Sequence, residues 1–480
     1  MNRGLGRQAA RAATWAFVSM MGARVITLIG LTVLARLLAP REFGLLAFAM
    51  AYIVYVETIG DLGSGTALIY WPDRRDEAAQ VTFLINIAAG TFWCLATIAL
   101  APLVAKFFNA PHGIPIVRVL AVGFLIKYLG NTHDALTRKD LRFAARAIPE
   151  LAFALIKAAV SVVMAWRGYG AWSLVWGHIS GLTASTLLFW TMTPWRPSLT
   201  FPRDLLKPML AYGRGIIFVN VLTAVEGQTD LAAVGRVLGM TALGLYQLAG
   251  KLPEATVIVI VRVASRVLMP AFSRVVAEGG TPKRAYLSAA RYIAAVTMPV
   301  MAGLAILAHP LVLVFFGKEW VAAAPIASAL AILAGMRALG THPGDALKAM
   351  GRVATLVRIE VFRAVLIVIA VVVTVHSGAV AVAGSMAIVD GSAMLVALVF
   401  AARAIGVSMT ELARAYAPAF AGTAAMTGVV LAWQTWGPSL GLLVHLGIAV
   451  TLGAVTYALV LAVTAPTMIG EARKIFAFGR

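Results

Sequence analysis

The chain of 480 residues is 61% hydrophobic and only 12% charged, and its mean hydropathy is +0.89. Soluble domains carry about 25% charged residues, so this composition excludes an ordinary water-soluble globular protein. The chain carries 40 Lys and Arg against 20 Asp and Glu. These basic residues are scattered between apolar runs and form no basic domain, which argues against a nucleic-acid partner.

Long apolar runs recur from one end of the chain to the other. Runs of roughly 20 residues can cross about 30 Å of hydrocarbon as helices. Backbone groups in lipid must be hydrogen-bonded internally, and the runs lack the alternation of barrel strands, so they predict helices. The sequence therefore predicts an all-α polytopic membrane protein with about fourteen transmembrane helices. The predicted spans are residues 12–34, 43–69, 80–105, 114–135, 147–166, 171–192, 213–234, 244–268, 287–308, 323–345, 357–376, 379–400, 414–435 and 440–465.

The basic residues of the connectors predict which side of the membrane each connector faces. Few lie in the connectors after odd-numbered spans, and most lie at the two termini and in the connectors after even-numbered spans. Cytoplasmic segments are enriched in Lys and Arg, so both termini are predicted to be cytoplasmic. The first apolar run contains Arg24 and no clear cleavage site, so we interpret it as an uncleaved span. The predicted outside connectors contain Arg36, Arg41, Lys106, Arg167, Arg236 and Lys318.

Short segments recur in the same order in the two halves of the chain. Such self-similarity indicates an internal repeat, here of six spans with one orientation. The matching segments are LARLLAPREFGLL (34–46) with VGRVLGMTALGLY (234–246), PLVAKFF (102–108) with PLVLVFF (310–316), KYLG (127–130) with RALG (337–340), and DAL (134–136) with DAL (345–347).

The repeat predicts two six-helix lobes related by a pseudo-two-fold axis along the membrane normal. Residues 1–200 would form the N-terminal lobe and residues 201–402 the C-terminal lobe. Residues 403–480 would add the thirteenth and fourteenth spans, which have no counterpart, and a cytoplasmic tail. Transporters built from parallel repeats bind their substrate near the middle of the membrane, between the lobes.

Cations inside the predicted spans are candidate substrate-binding residues, because a charge at mid-membrane costs roughly 2.5–3.5 kcal/mol on insertion scales. Arg24 lies near the centre of the first span, where it either faces a cavity or pairs with a carboxylate for folding. Lys127 and Arg337 occupy repeat-related positions and suggest a cleft lined with positive charge; the alternative is two inherited structural cations. Arg262 and Arg266, one turn apart in the eighth span, would contact a phosphate or anchor the inner leaflet.

Acidic residues inside the spans are candidates for ion coupling. Glu57 and Asp61 are separated by one helical turn in the second span, and Glu226 and Asp230 by one turn in the seventh. The offset between the two repeats places Glu226 and Asp230 at the level of Arg24 in the opposite lobe, which predicts a latch between the lobes. Alternatively, Glu226 interacts within its own lobe. Asp390 is isolated in the twelfth span and is a candidate carboxylate for a coupling ion.

Catalytic and cofactor motifs are missing from the sequence. It contains no nucleotide-binding loop and no catalytic triad, and its seven histidines lack metal-ligand spacing. No predicted outside connector is long enough for a soluble active site. We therefore expect no enzyme activity, no metal and no cofactor. Transport would depend on a proton or sodium gradient, on the membrane potential or on the gradient of the substrate itself.

Four segments resemble those of Wzx-type polysaccharide flippases, which belong to the multidrug/oligosaccharidyl-lipid/polysaccharide exporter superfamily. They are LARLLAPREFGLLAF (34–48), RKDLRF (138–143), GYGAWSLVWGHISG…TPWRPSL (168–199) and RVLGMTALGLYQLAGKL (236–252). They keep the family's order, and the resemblance extends over residues 10–465. It is closest to the branch that exports exopolysaccharide, colanic-acid-like and lipopolysaccharide repeat units. The chain departs from the family at Met240 and Thr241, where Pro-Glu or similar residues are usual; the departure affects a connector.

The resemblance implies a substrate and a location. The substrate would be an undecaprenyl-diphosphate-linked oligosaccharide, turned from the cytoplasmic to the periplasmic leaflet of the bacterial inner membrane by alternating access. Lys127, Arg337 and Arg24 would neutralise the diphosphate or acidic sugars, and Asp61, Glu226 or Asp230 would couple transport to protons or sodium. Membrane lipids, a polysaccharide polymerase and a chain-length regulator are the implied partners.

Other functions remain open at this point. A flippase for the lipid-linked peptidoglycan precursor would also carry a diphosphate, although the four segments favour the polysaccharide branch. A drug antiporter of the same superfamily would carry cations, against which the basic midplane argues. A polysaccharide polymerase or ligase would need a large periplasmic loop. A structural partner of a glycan-assembly complex would leave the repeat-related cations unexplained.

Overall fold

The computed structural model of the chain describes residues 21–60, 63–71, 73–140, 142–198, 200–256, 268, 272–438 and 440–466. Every regular element in these ranges is helical. The longer helices are α1 (21–37), α2 (Pro40–Gly60), α3 (Ser64–Tyr70), α4 (Arg75–Phe107), α5 (Ile114–Lys139), α6 (Phe143–Trp166), α7 (Ala171–Met192), α8 (Arg203–Ala249), α9 (Lys283–Ile306), α10 (Ala308–Phe315), α11 (Ala324–Leu339), α12 (Thr341–Ala349), α13 (Val353–Thr374), α14 (Ala379–Ile405), α15 (Met409–Trp436) and α16 (Leu442–Thr464).

Large apolar side chains cover the outside of several of these helices. Trp436, Val463, Ile388 and Leu443 are strongly exposed, which suits contact with hydrocarbon. Within the described residues, nine segments are long and apolar enough to cross a membrane. They are Arg75–Phe107, Pro111–Lys139, Ala145–Trp166, Ala224–Thr256, Lys283–Ile306, Lys318–Ala349, Ala379–Ile405, Met409–Trp436 and Leu442–Thr464.

The predicted class, an all-α polytopic membrane protein, is confirmed, whereas the count of fourteen spans stays a prediction. Two differences have physical reasons. The eleventh predicted span is the helix α13, which is strongly apolar but carries three charged residues, Arg358, Glu360 and Arg363, within one 18-residue stretch. The second predicted span comprises two helices, α2 and α3, and α3 begins after Gly63, whose φ is 66°.

Contacts between residues divide the chain into two compact units, Met1–Gly244 and Leu245–Arg480, which we call the first and second units. In the first unit, α6 packs along α7, and α5 packs along α4 and α7. A buried core joins α3, α4, α5 and the start of α8. Its members include Ala67, Leu68, Val81, Phe83, Leu136, Trp195, Leu205 and Met209. The start of α8 thus packs in the first unit, and the predicted lobe boundary at residue 200 remains a prediction.

In the second unit, α9 packs against α11 and α15, and α14 packs against α11 and α13. The last two helices, α15 and α16, pack against each other, and a small core joins them to the end of α9 and to α10. Its buried members are Leu307, Met426, Val430, Leu446 and Ala449. The two helices without a counterpart in the repeat therefore extend the apolar core of the second unit.

Candidate functional site

Lys127 and Glu57 form an ion pair in the first unit. The Nζ atom of Lys127, on α5, lies 2.8 Å from Oε2 of Glu57, on α2. The Lys127 side chain is 40% exposed and the Glu57 side chain 18%. The structure thus joins a predicted substrate-binding cation to a predicted ion-coupling carboxylate, and it leaves part of the cation accessible.

A glycine one turn after Glu57 allows α2 to approach its neighbours closely. A Cβ atom at Gly60 would lie 2.8 Å from Cδ1 of Trp93 and 2.8 Å from Oη of Tyr128. Both distances are shorter than normal van der Waals contacts, so a larger residue would displace Trp93, Tyr128 or α2 itself. Tyr128 directly follows Lys127 on α5. The close packing at Gly60 therefore holds α2 at the distance where Glu57 reaches the Lys127 ammonium.

Arg337 belongs to a chain of charged groups in the second unit. Its Nε donates to Oδ2 of Asp390 at 2.7 Å, and Nη1 of Arg363 donates to Oδ1 of the same carboxylate at 2.9 Å. Arg363 in turn contacts Oε2 of Glu360 at 2.6 Å. The Asp390 side chain is 2% exposed and the Arg337 side chain 41%. The two arginines hold both carboxylate oxygens, so Asp390 anchors the Nε side of Arg337.

The expectation that Asp390 is isolated is therefore wrong. The sequence shows no neighbouring charge within the twelfth predicted span, but Arg363 and Arg337 approach from α13 and α11. Both oxygens of the Asp390 carboxylate are thus engaged by arginines of neighbouring helices. A role for Asp390 in carrying a coupling ion stays a prediction.

The repeat-related cations take their counter-charges from different helices. Gly170 and Gly378 directly precede α7 and α14. Leu182 lies as many residues after Gly170 as Asp390 lies after Gly378, so the two residues occupy equivalent positions in the repeat. The first unit thus lacks a carboxylate at that place, and Lys127 is paired from α2 instead. The repeat preserves the position of the cation and not the arrangement of its partner.

The other predicted residues lie elsewhere. Arg24 lies on α1, and Glu226 and Asp230 lie on α8; all three are half-buried and have interactions within the structure. These three residues belong to the first unit. A latch between Arg24 and Glu226 or Asp230 remains a prediction. The remaining predicted residues, Asp61, Arg262 and Arg266, lie outside the described residues.

Sequence reasoning did not select Arg363, Glu360 or Lys157. Lys157 lies on α6, where its Nζ is 5.6 Å from the centre of the Phe153 ring. Lys157, like Lys127, belongs to the first unit. The signal that selected Lys127, a charge inside an apolar span, was equally present at Lys157 and Arg363.

Two buried histidines extend the repeat beyond the matched segments. His133 and His342 each follow a threonine, and both are fully buried. The ring of His133 stacks on that of Trp190 at 4.6 Å between centroids. Nε2 of His342 lies 3.0 Å from Oη of Tyr416. These aromatic contacts fix the chain close to the helical turns that carry Lys127 and Arg337.

Ion pairs at one end of the first unit explain part of the RKDLRF segment. Arg75 contacts Asp140 at 2.6 Å, and Lys139 donates to the carbonyl oxygen of Leu68 at 2.8 Å. Nearby, Arg74 donates to Asp204, and this hydrogen bond lowers the pKa of the Asp204 carboxyl from its ordinary value. The charges of this segment thus tie helix ends together and lie apart from the Lys127 pair.

The chain is similar to known proteins in sequence and in structure. The family described as "Polysaccharide biosynthesis protein" matches residues 33–325. The teichuronic acid biosynthesis protein TuaB of Bacillus subtilis is 25% identical over 353 residues, which is 72% of this chain and 72% of that protein. The lipopolysaccharide biosynthesis protein WzxC of Escherichia coli is 24% identical over 363 residues, which is 75% of this chain and 74% of that protein.

Solved structures share the fold at low sequence identity. The lipid II flippase MurJ, in an inward closed conformation, aligns with a TM-score of 0.78 and 12% identity over 95% of this chain and 99% of MurJ. An inward-facing multidrug transporter of the MATE family aligns with a TM-score of 0.67 and 14% identity over 82% of this chain and 98% of its own. These likenesses establish the fold. Because the family match covers more than half of the sequence, the chain belongs to the polysaccharide biosynthesis protein family.

Proposed function

We propose that the chain is a flippase that turns undecaprenyl-diphosphate-linked oligosaccharide repeat units from the cytoplasmic to the periplasmic leaflet. It would do so by alternating access, with residues 1–200 and 201–402 as the two lobes and residues 403–480 as an appended segment. The relatives in surface-polysaccharide biosynthesis, together with a flippase fold, support this substrate class. The product would serve lipopolysaccharide or exopolysaccharide assembly.

The observation that carries the proposal is the partial exposure of two repeat-related cations inside apolar helices. Lys127 and Arg337 are each about two-fifths exposed, at 40% and 41%. A charge that faced hydrocarbon would be costly, so exposed cations at this depth favour a water-filled cavity. A lipid diphosphate supplies the anion that such a cavity would neutralise, while its polyprenyl tail stays in the bilayer.

The two cations would play different parts. Asp390 engages Nε of Arg337, and the terminal amino groups of a guanidinium anchored in this way can donate in parallel to two phosphate oxygens. Asp390 and Arg363 would therefore be positioning residues for Arg337. Lys127 is a compact point charge on a flexible stem and would follow the anion over a range of positions. Arg24 and Lys157 would add positive charge in the first unit.

Coupling to protons or sodium would use carboxylates such as Glu57, Asp61, Glu226, Asp230 or Asp390. The protein would act in the bacterial inner membrane with both termini in the cytoplasm, beside a polysaccharide polymerase and a chain-length regulator. The distribution of Lys and Arg between alternate connectors supports this orientation.

The deciding experiment uses cells that lack the chain. We expect loss of surface polysaccharide and accumulation of its lipid-diphosphate-linked repeat unit, inaccessible to a periplasmic probe. Complementation with Lys127→Gln plus Arg337→Gln should not restore export at normal protein level, whereas the exposed connector residue Lys318, changed to Gln, should. Accumulation on the periplasmic face would overturn the proposal in favour of a polymerase or a partner protein. Accumulation of the peptidoglycan precursor instead would indicate the other lipid-diphosphate substrate.

A further inference from the structure

The cation of the first unit is already neutralised inside the protein. Lys127 and Glu57 form a pair of opposite charges at 2.8 Å, so the pair has no net charge. An anion that arrives at Lys127 must either accept a neighbouring carboxylate of the same sign or displace it. The presence of the Glu57 carboxylate inside a proposed binding site for an anionic headgroup therefore needs a physical explanation.

Glu57 and Asp390 differ in how firmly they are held. Asp390 is almost fully buried, and each of its oxygens accepts a hydrogen bond from a different arginine. Among the described residues, Glu57 has one charged partner, the Nζ of Lys127, and its side chain is 18% exposed. Two fixed hydrogen bonds in a dry site resist displacement. A single contact beside water can break, because the freed carboxylate is then hydrated.

Helix packing indicates that the Glu57 side chain, and not its helix, would move. The backbone of α2 at Gly60 lies directly against Trp93 and Tyr128. Glu57 stands one turn earlier on the same helix and has three rotatable bonds with which to leave Lys127. The carboxylate can therefore swing into the accessible space while α2 and α5 stay in contact.

We infer that Glu57 is a tethered competitor of the substrate headgroup for Lys127. When the headgroup is absent, Glu57 forms an ion pair with the ammonium group of Lys127. When a diphosphate binds, Glu57 is displaced, and its return to Lys127 promotes release of the headgroup. The inference rests on the proposed function and adds to it a residue that controls affinity and release at the same site.

The competition has a defined thermodynamic signature. If Lys127 can bind an anion only while Glu57 is displaced, the apparent affinity equals the intrinsic affinity multiplied by the fraction of time that Glu57 is displaced. Removal of the competing charge should therefore strengthen binding of every anion that uses Lys127. Transport needs binding weak enough for release, so the same change should slow turnover. Misfolding would weaken binding and slow export together, so it cannot produce tighter binding with slower export.

The test measures binding of farnesyl diphosphate to the purified full-length protein by titration calorimetry, and export in cells. We expect Glu57→Gln to bind the probe about tenfold more tightly than the wild type. This gain corresponds to a Glu57–Lys127 ion pair that is formed about nine-tenths of the time in the wild type. Export per molecule should fall. Glu57→Asp, which keeps the charge on a shorter stem, should lie between the two. The control Glu150→Gln removes a carboxylate from an ion pair with Arg146 in the same unit and should bind like the wild type.

The outcomes separate this inference from the proposed function. The inference is overturned if Lys127→Gln weakens probe binding while Glu57→Gln leaves it unchanged or weakens it. It is likewise overturned if Glu57→Gln still strengthens binding in a Lys127→Gln background, because the competition would then lie elsewhere. If neither substitution changes binding and export is also normal, the Lys127 site itself is wrong, and the proposed function loses the observation that carries it.

Discussion

Gly44 and Gly244, which recur at the same place in the two repeated connector segments, each pack against the backbone of the other segment. A Cβ atom at Gly244 would lie 2.9 Å from the amide nitrogen of Gly44 and would collide with the carbonyl oxygen of Pro40. A Cβ atom at Gly44 would lie 2.6 Å from the carbonyl carbon of Met240. Both collisions are with backbone atoms, which cannot turn aside as a side chain can. This reciprocal contact explains why the same glycine stands in both copies.

Alanine at either glycine should therefore force the two segments apart. We expect Gly44→Ala and Gly244→Ala each to lower the free energy of unfolding by about 1–3 kcal/mol, the usual cost of overpacking, and to reduce export. Thermal unfolding of the purified protein would measure the first effect. Gly384→Ala is the control, because a Cβ there meets nothing within 4 Å and alanine favours the helix. Equal stability of all three variants would contradict the close packing.

The anchor role of Asp390 predicts a loss of stability on its neutralisation. Asp390→Asn leaves Arg363 and Arg337 without their shared counter-charge, and breaking such a pair inside a protein costs about 3 kcal/mol or more. Glu360→Gln should cost less, because among the described residues Arg363 is the one charged partner of Glu360, and Glu360 is more exposed. Chemical unfolding of the variants measures the difference.

Removal of both charges provides the matching control. The double variant Asp390→Asn with Arg363→Gln should recover part of the lost stability, since it also removes the half-buried charge that has lost Asp390 as a partner. A carboxylate that served only a coupling ion would behave differently. Its neutralisation would abolish the dependence of export on that ion and leave stability nearly unchanged, and this outcome would restore the original interpretation of Asp390.

Sequence reasoning reached the helices and the cations but not the pairs they form. Lys127 and Arg337 were identified because a charge inside an apolar run is costly and because the repeat places the two at equivalent positions. Their partners depend on which helices touch, and local periodicity does not determine that. The sequence shows Glu57 as a helical neighbour of Asp61, whereas its contact with Lys127 depends on the close approach at Gly60. Arg363 and Asp390 are distant in sequence from Arg337 and meet it only through packing.

The Arg74–Asp204 hydrogen bond predicts an acid-dependent part of stability. Because the folded protein lowers the pKa of the Asp204 carboxyl, the bond stabilises the fold above the unfolded-state pKa of about 4 and loses this contribution as the pH falls through the lowered value. Asp204→Asn should therefore unfold at a lower temperature than the wild type at pH 7, and the gap should close in acid. Asp73→Asn removes a charge next to Arg74 in the sequence and serves as the control. Its difference in unfolding temperature from the wild type should not close in acid. A gap that stays constant with pH would contradict the assignment.

Gly60→Ala tests whether helix packing controls the Lys127–Glu57 pair. The added methyl group would overlap the side chains of Trp93 and Tyr128, and we expect α2 to move slightly away from α5 as the three adjust. A longer distance weakens the attraction between the ammonium and the carboxylate, so Lys127 would be available more often. We expect Gly60→Ala to bind farnesyl diphosphate more tightly than the wild type but less tightly than Glu57→Gln. In a Glu57→Gln background, Gly60→Ala should add nothing, because the competitor is already absent. An equal gain in both backgrounds would mean that the glycine affects binding by a route other than Glu57.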